Sequence, residues 1–222
     1  MGMKRNVFIT GGTGYMGRGL IAELLKRGHQ VRALVRPGSE KKLPAGCIAV
    51  VGDALKAESY AAQVPPADTF VQLVGIPSPN PSKAQLFREV DLASGLAGIA
   101  AAKQAGVKHF VYVSVAQPAP IMQAYIQARA ECEEALRRSG MGATILRPWY
   151  VLGPGHRWPC LLLPMYAVAS LLPGSRDTAR RLGLVTLRQM IAALAGAVES
   201  PVRDVRVLEV PAIRDGRLPI VD

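Results

Sequence analysis

A glycine-rich segment near the start of the chain constrains its fold more than any other feature. Residues 7–17 read VFITGGTGYMG, in which an apolar, β-branched run leads into three glycines with the spacing Gly11-x-x-Gly14-x-x-Gly17. An apolar pattern of helical period follows over residues 20–25. This order predicts a strand, a tight glycine turn and the N-terminus of a helix.

Glycines placed in this way have separate tasks in a dinucleotide-binding fold. One permits the turn, one lets the backbone approach a pyrophosphate, and one lets the helix and the strand pack closely. The N–H groups at the start of the helix supply a partial positive charge for the phosphates. A glycine turn without a ligand is the alternative, but the position between a strand and a helix favours dinucleotide binding.

The composition of the chain argues against several functional classes. The 27 basic and 16 acidic residues give a net charge of +11, yet the basic residues form scattered pairs and aromatic residues make up only 5%. Nucleic-acid binding is therefore not favoured, and a basic surface that attracts a polyanionic cofactor is the simpler interpretation. The three cysteines and three histidines lie far apart, with no Cys-x-x-Cys pair. This spacing argues against a bound metal or a disulfide framework and indicates a reducing, cytoplasmic compartment.

Strand and helix patterns alternate up to about residue 150, and several strands are apolar almost throughout, as in a parallel sheet covered on both faces. We predict strands at 5–10, 30–35, 47–51, 69–75, 108–114 and 143–147. We predict helices at 15–27, 55–63, 83–105 and 123–139. This alternation predicts an α/β protein with a doubly wound parallel sheet, the Rossmann fold. Residues 1–152 are expected to form the dinucleotide-binding domain, and residues 153–222 a short substrate-side segment packed on it.

The composition changes after Tyr150. Residues 153–176 contain four prolines and an apolar stretch that is too short and too interrupted to span a bilayer. Core packing, a substrate-side lid or an oligomer contact is the favoured interpretation of this segment. Peripheral membrane contact through residues 157–172 is the alternative. Further along, the sequence predicts a helix over 184–199 and a strand over 206–210.

The residue that ends the second strand indicates which cofactor is bound. An acidic residue at this position bonds the ribose 2′-hydroxyl of NAD, whereas an arginine accommodates the 2′-phosphate of NADP. The strand VRALV ends at Arg36, which favours NADP(H), with NAD as the alternative. Asp53, after the third strand, can accept a hydrogen bond from the adenine amino group, cap a following helix, or do both.

These motifs resemble those of the short-chain dehydrogenase/reductase superfamily, in its atypical and extended branches. The similar segments are TGGTGYMG at 10–17, Gly-Asp at 52–53, AAKQAGVKHFVYVS at 101–114 and ILRPWYVLGPG at 145–155. The related groups are the NAD(P)H-binding, NmrA-like and epimerase/dehydratase-like proteins, and the resemblance covers roughly residues 5–155. It implies that NADP(H) or NAD is bound through Gly11, Thr13, Gly14, Tyr15, Met16, Gly17, Arg36, Asp53, Ala54, Val74, Gly75, Pro148 and Tyr150.

Enzymes of this superfamily use a serine or threonine after the fifth strand and a Tyr-x-x-x-Lys pair on the next helix. Ser114 and Tyr125 match the serine and the tyrosine, but Arg129 stands where the pattern has lysine. A spacing of four places Tyr125 and Arg129 on one helix face, where the cation can lower the pKa of the tyrosine. Arginine keeps this charge but does not exchange its proton at ordinary pH. The alternative is an amphipathic helix that carries a half-buried tyrosine and a surface arginine.

The resemblance implies hydride transfer between NADP(H) and a small carbonyl or alcohol. Tyr125 would be the general acid or base, Ser114 would orient the substrate oxygen, and Arg129 would tune the tyrosine; epimerase-type chemistry uses the same residues. The alternative is a non-catalytic NADP(H)-binding redox sensor or structural subunit, which the arginine favours. About 70 residues follow Tyr150, so a small or apolar substrate is easier to accommodate than a nucleotide sugar. The sequence leaves the substrate and the oligomeric state open.

Overall fold

The computed structural model describes residues 4–77, 79–154 and 181–216. Within these residues the strands are β1 (Asn6–Thr10), β2 (Gln30–Val35), β3 (Ile48–Val51), β4 (Thr69–Gln72), β5 (His109–Val113), β6 (Gly142–Arg147), β7 (Tyr150–Leu152), β8 (Leu184–Thr186) and β9 (Val205–Glu209). The α-helices are α1 (Tyr15–Lys26), α2 (Ala84–Leu86), α3 (Ala93–Gln104), α4 (Gln123–Arg138), α5 (Leu187–Glu199) and α6 (Val210–Asp215). A π-helical turn, Phe87–Leu92, joins α2 to α3.

Seven of these strands form one parallel sheet in the order β3-β2-β1-β4-β5-β6-β9. The chain leaves β3 at one edge and re-enters the sheet as β4, on the other side of β1, so the strand order reverses between β1 and β4. In open α/β sheets, ligands bind in the crevice outside the carboxyl ends of the strands at such a reversal. The predicted doubly wound α/β fold is confirmed, and this topology places the crevice directly above the glycine turn.

The core lies on both faces of the sheet, as the apolar strands predict. On one face, α1 and α5 cover β1 and its neighbours, with Leu20, Ile21 and Leu194 fully buried. On the other face, α3 and α4 cover a row of aromatic rings that crosses the strands. Phe8 on β1 stacks on Phe70 of β4 at 5.3 Å between ring centroids, and Phe70 stacks on Phe110 of β5 at 5.1 Å. These three residues share one register across the sheet, so the row stabilises the pairing of the central strands.

The predicted helix over residues 55–63 is wrong. Two separate 3₁₀ turns, Ala57–Ser59 and Ala61–Gln63, occupy this described stretch. The hydroxyl of Ser59 is within hydrogen-bond distance of the carbonyl oxygens of Lys56, at 2.8 Å, and Asp53, at 3.1 Å. The same hydroxyl accepts a hydrogen bond from the N–H of Asp53 at 3.0 Å. Bonds of this kind compete with the backbone bonds of a helix, which explains the short turns.

The predicted helix over residues 184–199 begins three residues later than expected. Leu184–Thr186 is a strand that pairs in parallel with β7, and α5 starts at Leu187. Thr186 caps the helix by accepting from the N–H of Gln189 at 3.2 Å, while the Gln189 side chain accepts from the N–H of Thr186 at 2.8 Å. This reciprocal capping box fixes the helix start, and the apolar period at Leu184 alone did not reveal it.

The helix predicted over residues 83–105 is present but is not uniform. It consists of α2, the π-helical turn Phe87–Leu92 and α3 in succession. A π turn holds one more residue than an α turn, and such turns are frequent at functional sites. In this chain the turn contains Asp91, which is fully buried.

Most of the apolar segment 153–176 lies outside the described residues, so its role as a lid, an oligomer contact or, through residues 157–172, a membrane contact stays a prediction. The same holds for the domain boundary at residue 152. Among the described residues, no helix combines the length and the apolar character that a bilayer span requires.

His109 is the first residue of β5 and so lies at the amino ends of the strands, away from the crevice at their carboxyl ends. Its Nε2 is 3.1 Å from Oγ1 of Thr144, which also accepts a hydrogen bond from Nη2 of Arg206 at 3.1 Å. Burial, aided by the positive charges of Arg206 and Arg5, lowers the pKa of His109 to about 4. The imidazole is therefore neutral in the folded protein at neutral pH.

We expect the stability of the fold to fall as the pH decreases from about 6.5 to about 4. Over this interval the unfolded chain takes up a proton at His109 while the folded chain does not, which costs up to about 3 kcal/mol. Thermal unfolding of the wild type and His109→Gln between neutral pH and about pH 4 checks this. The melting temperature of the variant should depend less steeply on pH, and equal slopes would contradict the assignment.

Candidate functional site

The glycine turn brings the backbone after β1 against the first turn of α1. Gly11 has a φ of +74°, a conformation that favours glycine, and a Cβ there would lie 2.8 Å from the carbonyl carbon of Leu73. A Cβ on Gly17 would overlap the carbonyl oxygen of Gly11 and lie 2.7 Å from the Cα of Gly12. Gly14 is the N-cap of α1, and no acidic side chain lies in the first turn. The helix N-terminus is thus open to a phosphate group.

A first cavity of about 450 Å³, which we call the Arg36 cavity, lies above the ends of β1, β2 and β3. Asp53 lies in its wall and accepts a hydrogen bond from the N–H of Leu55 at 3.0 Å. The predicted cofactor residues that line this cavity are Gly11, Thr13, Gly14, Arg36, Asp53, Ala54, Val74 and Gly75. Its other lining residues are Leu34, Val35, Gly52, Leu55, Leu73, Ile76, Pro77 and Val90.

A second cavity of about 420 Å³, which we call the Tyr125 cavity, lies above β4, β5 and β6. The predicted residues that line it are Gly11, Gly14, Tyr15, Met16, Gly17, Gly75, Ser114, Tyr125, Arg129 and Pro148. Its other lining residues are Leu73, Ile76, Pro77, Pro79, Val113, Val115, Trp149 and Val151. The glycine turn and the loop 73–77 line both cavities, so together these form one cleft across the reversal of strand order.

Tyr150, which is predicted to bind the cofactor, lines neither cavity. Trp149 and Val151, its two neighbours in the chain, line the Tyr125 cavity instead. Trp149 lies in a bend between β6 and β7, and Tyr150 is the first residue of β7. The rings of Trp149 and Tyr150 meet edge to face at 5.7 Å between centroids.

Tyr125 and Arg129 lie one turn apart on α4, as their spacing predicts. The carbon of the Arg129 guanidinium is 5.2 Å from the centroid of the Tyr125 ring, within the range of a cation–π interaction. Arg129 is only 5% exposed, so the alternative of a surface arginine does not hold. The ring of Tyr125 also packs against Phe87 at 5.0 Å between centroids. A cation is therefore fixed beside the tyrosine.

The partner of Arg129 is Asp91, a residue that the sequence analysis missed. Nη2 of Arg129 forms an ion pair with Oδ1 of Asp91, and Nη1 donates to the carbonyl oxygen of Val113 at 2.9 Å. The other oxygen of Asp91 accepts from the N–H of Ile76 at 3.1 Å. Burial raises the pKa of the Asp91 carboxyl, and Arg129 and the Ile76 N–H act against that rise.

Ser114 is also buried, and its hydroxyl is bonded within the protein. Oγ of Ser114 donates to Oε1 of Glu133 at 2.6 Å. This glutamate oxygen also accepts a hydrogen bond from Nε2 of Gln117 at 2.9 Å. Glu133 forms an ion pair with Arg147, whose Nε is 2.9 Å from Oε1. The Ser114 hydroxyl therefore donates its hydrogen to Glu133 and can only accept hydrogen bonds from a group in the Tyr125 cavity.

Sequence spacing contains a signal that could have identified Glu133. It follows Tyr125 and Arg129 at the same interval of four residues, so all three lie on one face of α4. A carboxylate on the buried face of a helix requires a partner, and the arginine at the end of β6 provides it. Asp91 has no such spacing signal, because its ion pair joins two separate helices.

Comparison with known proteins shows what this chain is similar to. The family model described as NAD(P)H-binding matches residues 11–155, which begin at the glycine turn and extend beyond Trp149. The chain is 27% identical over 198 residues to the ceramide reductase of Caulobacter vibrioides, covering 88% of this chain and 62% of the relative. It is 32% identical over 114 residues to the 3-beta-hydroxysteroid dehydrogenase of Mycolicibacterium neoaurum, covering 49% and 31%. The chain thus spans less than two thirds of the length of either relative.

Solved structures show the same fold. A short-chain dehydrogenase/reductase superfamily protein from Agrobacterium tumefaciens, solved with bound NAD, superimposes with a TM-score of 0.67. The alignment covers 92% of this chain and 77% of that protein at 18% identity.

In the part of the chain that the structure describes, no group of three or more His, Cys, Asp or Glu residues is arranged to hold a metal ion.

Two glycine variants separate the packing role of the turn from its role in binding. Gly17→Ala is expected to lower the melting temperature strongly, since its Cβ would meet backbone atoms that cannot rotate away. Gly14→Ala meets only the carbonyl oxygen of Gly11, at 3.1 Å, and should lower the melting temperature much less than Gly17→Ala while it weakens dinucleotide binding. Thermal unfolding and nucleotide titration of both variants check this. A stable Gly17→Ala protein would contradict the packing argument.

Proposed function

The chain belongs to the NAD(P)H-binding family, and from this premise we propose that it is an NADP(H)-dependent oxidoreductase. It would act on a carbonyl or alcohol carbon of a small, largely apolar substrate. The observation that carries the proposal is that Tyr125 and the glycine turn line one continuous cleft, with a buried cation beside the tyrosine. When bound, the cofactor supplies or accepts the hydride.

The described residues fit a dinucleotide along the whole cleft. The backbone at Gly11 and Gly14 and the N-terminus of α1 are suited to the pyrophosphate. Arg36, exposed at the end of β2, is suited to the 2′-phosphate of NADP because guanidinium binds phosphate oxygens in pairs. Asp53 and the apolar Leu55 line the same cavity and are suited to the adenine ring.

Tyr125 is the group that would exchange a proton with the substrate oxygen. In the reducing direction it would donate its hydroxyl proton to the oxygen as the carbon gains hydride, and in the oxidising direction it would accept that proton. Arg129 beside the ring stabilises the phenolate that remains after donation. Because the hydrogen of Ser114 is bonded to Glu133, the serine can accept a hydrogen bond from a substrate hydroxyl but does not compete with Tyr125 as a donor.

The walls of the Tyr125 cavity favour an apolar substrate. Ile76, Pro77, Pro79, Val115 and Trp149 present hydrocarbon and aromatic surface around the tyrosine. The relatives support the same class, since the substrates named in ceramide reductase and 3-beta-hydroxysteroid dehydrogenase are both lipids. We therefore propose a ketone or secondary alcohol within a hydrocarbon skeleton as the substrate class.

One observation favours a second candidate function, a non-catalytic NADP(H)-binding subunit or redox sensor. The cation that takes the place of the usual lysine is paired with Asp91 and bonded to the backbone of β5, so these bonds are made within the protein. A protein with this arrangement could bind the nucleotide without turnover. The two functions differ in whether bound NADPH is consumed.

Replacing the tyrosine hydroxyl tests the first candidate. We expect Tyr125→Phe to reduce NADPH oxidation on a panel of apolar ketones roughly 100- to 10,000-fold, which is the contribution of a general acid, with little change in NADPH affinity. Tyr60→Phe is the matched control, because it removes the hydroxyl of a buried core tyrosine that lines neither cavity. Equal rates in the wild type and Tyr125→Phe would reject the assigned role. NADPH binding without consumption on any ketone would favour the second candidate.

The choice of cofactor is tested at Arg36. Arg36→Ala should weaken NADPH binding roughly 10- to 100-fold and leave NADH binding nearly unchanged, because only NADPH carries the 2′-phosphate. Lys56→Ala is the control, since it removes an exposed positive charge from the neighbouring loop but lines neither cavity. Titration of both variants with both nucleotides provides the comparison. Parallel losses of NADPH and NADH in Arg36→Ala would exclude recognition of the 2′-phosphate.

A further inference from the structure

We propose that Asp91 and Arg129 act as positioning residues that control binding of the adenosine half of the cofactor. Arg129 lines the Tyr125 cavity, whereas the adenosine half is assigned to the Arg36 cavity, so this effect would be indirect. We call the buried ion pair the Asp91–Arg129 clamp. The inference rests on the proposed NADP(H) binding and extends it by assigning a role to two residues beneath the cleft.

The guanidinium of Arg129 is held by groups of the protein itself. It forms its ion pair with Asp91, donates to the carbonyl oxygen of Val113 at 2.9 Å and lies beside the ring of Tyr125. The side chains of Arg129 and Asp91 are 6% and 0% exposed. Turning this guanidinium toward a bound nucleotide would leave the carboxylate of Asp91 buried without its partner, which is strongly unfavourable.

Asp91 joins the ion pair to the loop 73–77. Its Oδ1 forms the ion pair with Arg129, and its Oδ2 accepts the hydrogen bond from the N–H of Ile76 at 3.1 Å. A single carboxylate therefore connects helix α4 to the loop after β4. The position of the loop depends on where this carboxylate lies.

Gly75 shows how closely the loop approaches the clamp. A Cβ at this position would overlap Nη2 of Arg129 and lie 2.9 Å from Oδ1 of Asp91. The loop backbone thus rests directly on the ion pair, with no side chain between them. Because Leu73, Gly75, Ile76 and Pro77 line both cavities, a shift of the clamp would move the wall of the Arg36 cavity as well.

The π-helical turn Phe87–Leu92 makes a second, exposed connection that serves as a reference. Arg88 of this turn forms a two-point ion pair with Glu131 of α4, at 2.8 and 3.2 Å. This pair joins the same two elements as the Asp91–Arg129 clamp, but on the solvent side and away from the loop. Removing it would alter the contact between these elements without touching the loop.

The test compares a complete nucleotide with a ligand that contains only its adenosine half. Wild type, Asp91→Asn, Arg129→Lys and the control Arg88→Met are titrated with NADPH and with adenosine 2′,5′-bisphosphate. We expect Asp91→Asn and Arg129→Lys to weaken binding of both ligands roughly 10-fold or more. In Arg129→Lys, the single ammonium group of lysine cannot replace the guanidinium, which bonds both Asp91 and Val113. Arg88→Met should bind both ligands as the wild type does.

A third variant covers the case in which Asp91→Asn does not fold. Gly75→Ala pushes the loop away from the clamp without removing a charge, and it should also weaken binding of both ligands. Loss of NADPH binding with unchanged binding of the bisphosphate in Arg129→Lys and Gly75→Ala would overturn the proposal and indicate direct contact with the nicotinamide half. Unchanged binding of both ligands in these variants would overturn it too, while leaving the proposed function intact. A wild-type protein that binds neither ligand would overturn the proposed function together with this inference.

Discussion

The contact between the first turn of α1 and the backbone after β1 is the constraint on which the rest of the cleft depends. It exists because Gly11 and Gly17 carry no side chains, so helix and turn backbones can touch. This contact fixes the direction of α1, whose N-terminus then points into the crevice where the strand order reverses. The loop 73–77 lies against the same turn, since the Cα of Gly11 faces the Leu73 carbonyl. The two cavities share these elements and so form one cleft.

Much of the fold and of the nucleotide-facing site could be predicted from the sequence because both depend on local patterns. Strand β2 has its predicted bounds, and Gly11, Gly14, Arg36 and Asp53, predicted to bind the cofactor, all line the cleft. The features that were missed depend on partners distant in the chain. Asp91 acquires its role only when two separate helices meet. The prediction of a helix at 55–63 was wrong because the Ser59 side chain bonds backbone carbonyl groups that a helix would use.

Helix α4 organises the part of the cleft around Tyr125 through one repeated interval. Tyr125, Arg129 and Glu133 occur at successive steps of four residues, and each reaches a different part of the protein. Tyr125 lines the cavity, Arg129 pairs with Asp91 of the π-helical turn, and Glu133 bonds both Ser114 and the arginine at the end of β6. The two buried charges of this helix, Arg129 and Glu133, thus each have a partner of opposite sign. The geometry around the tyrosine is consequently set by ion pairs internal to the protein.

The position of Trp149 has a practical consequence for work with this protein. It is one of two tryptophans in the chain, and its indole lines the Tyr125 cavity beside Pro148. Indole emission overlaps the near-ultraviolet absorption of a reduced nicotinamide ring, so a ring in this cavity would quench Trp149 by resonance energy transfer. The oxidised ring lacks that absorption band and would affect the emission differently. With the nicotinamide bound in this cavity as proposed, Trp149 would act as an intrinsic optical reporter of the redox state of the ligand.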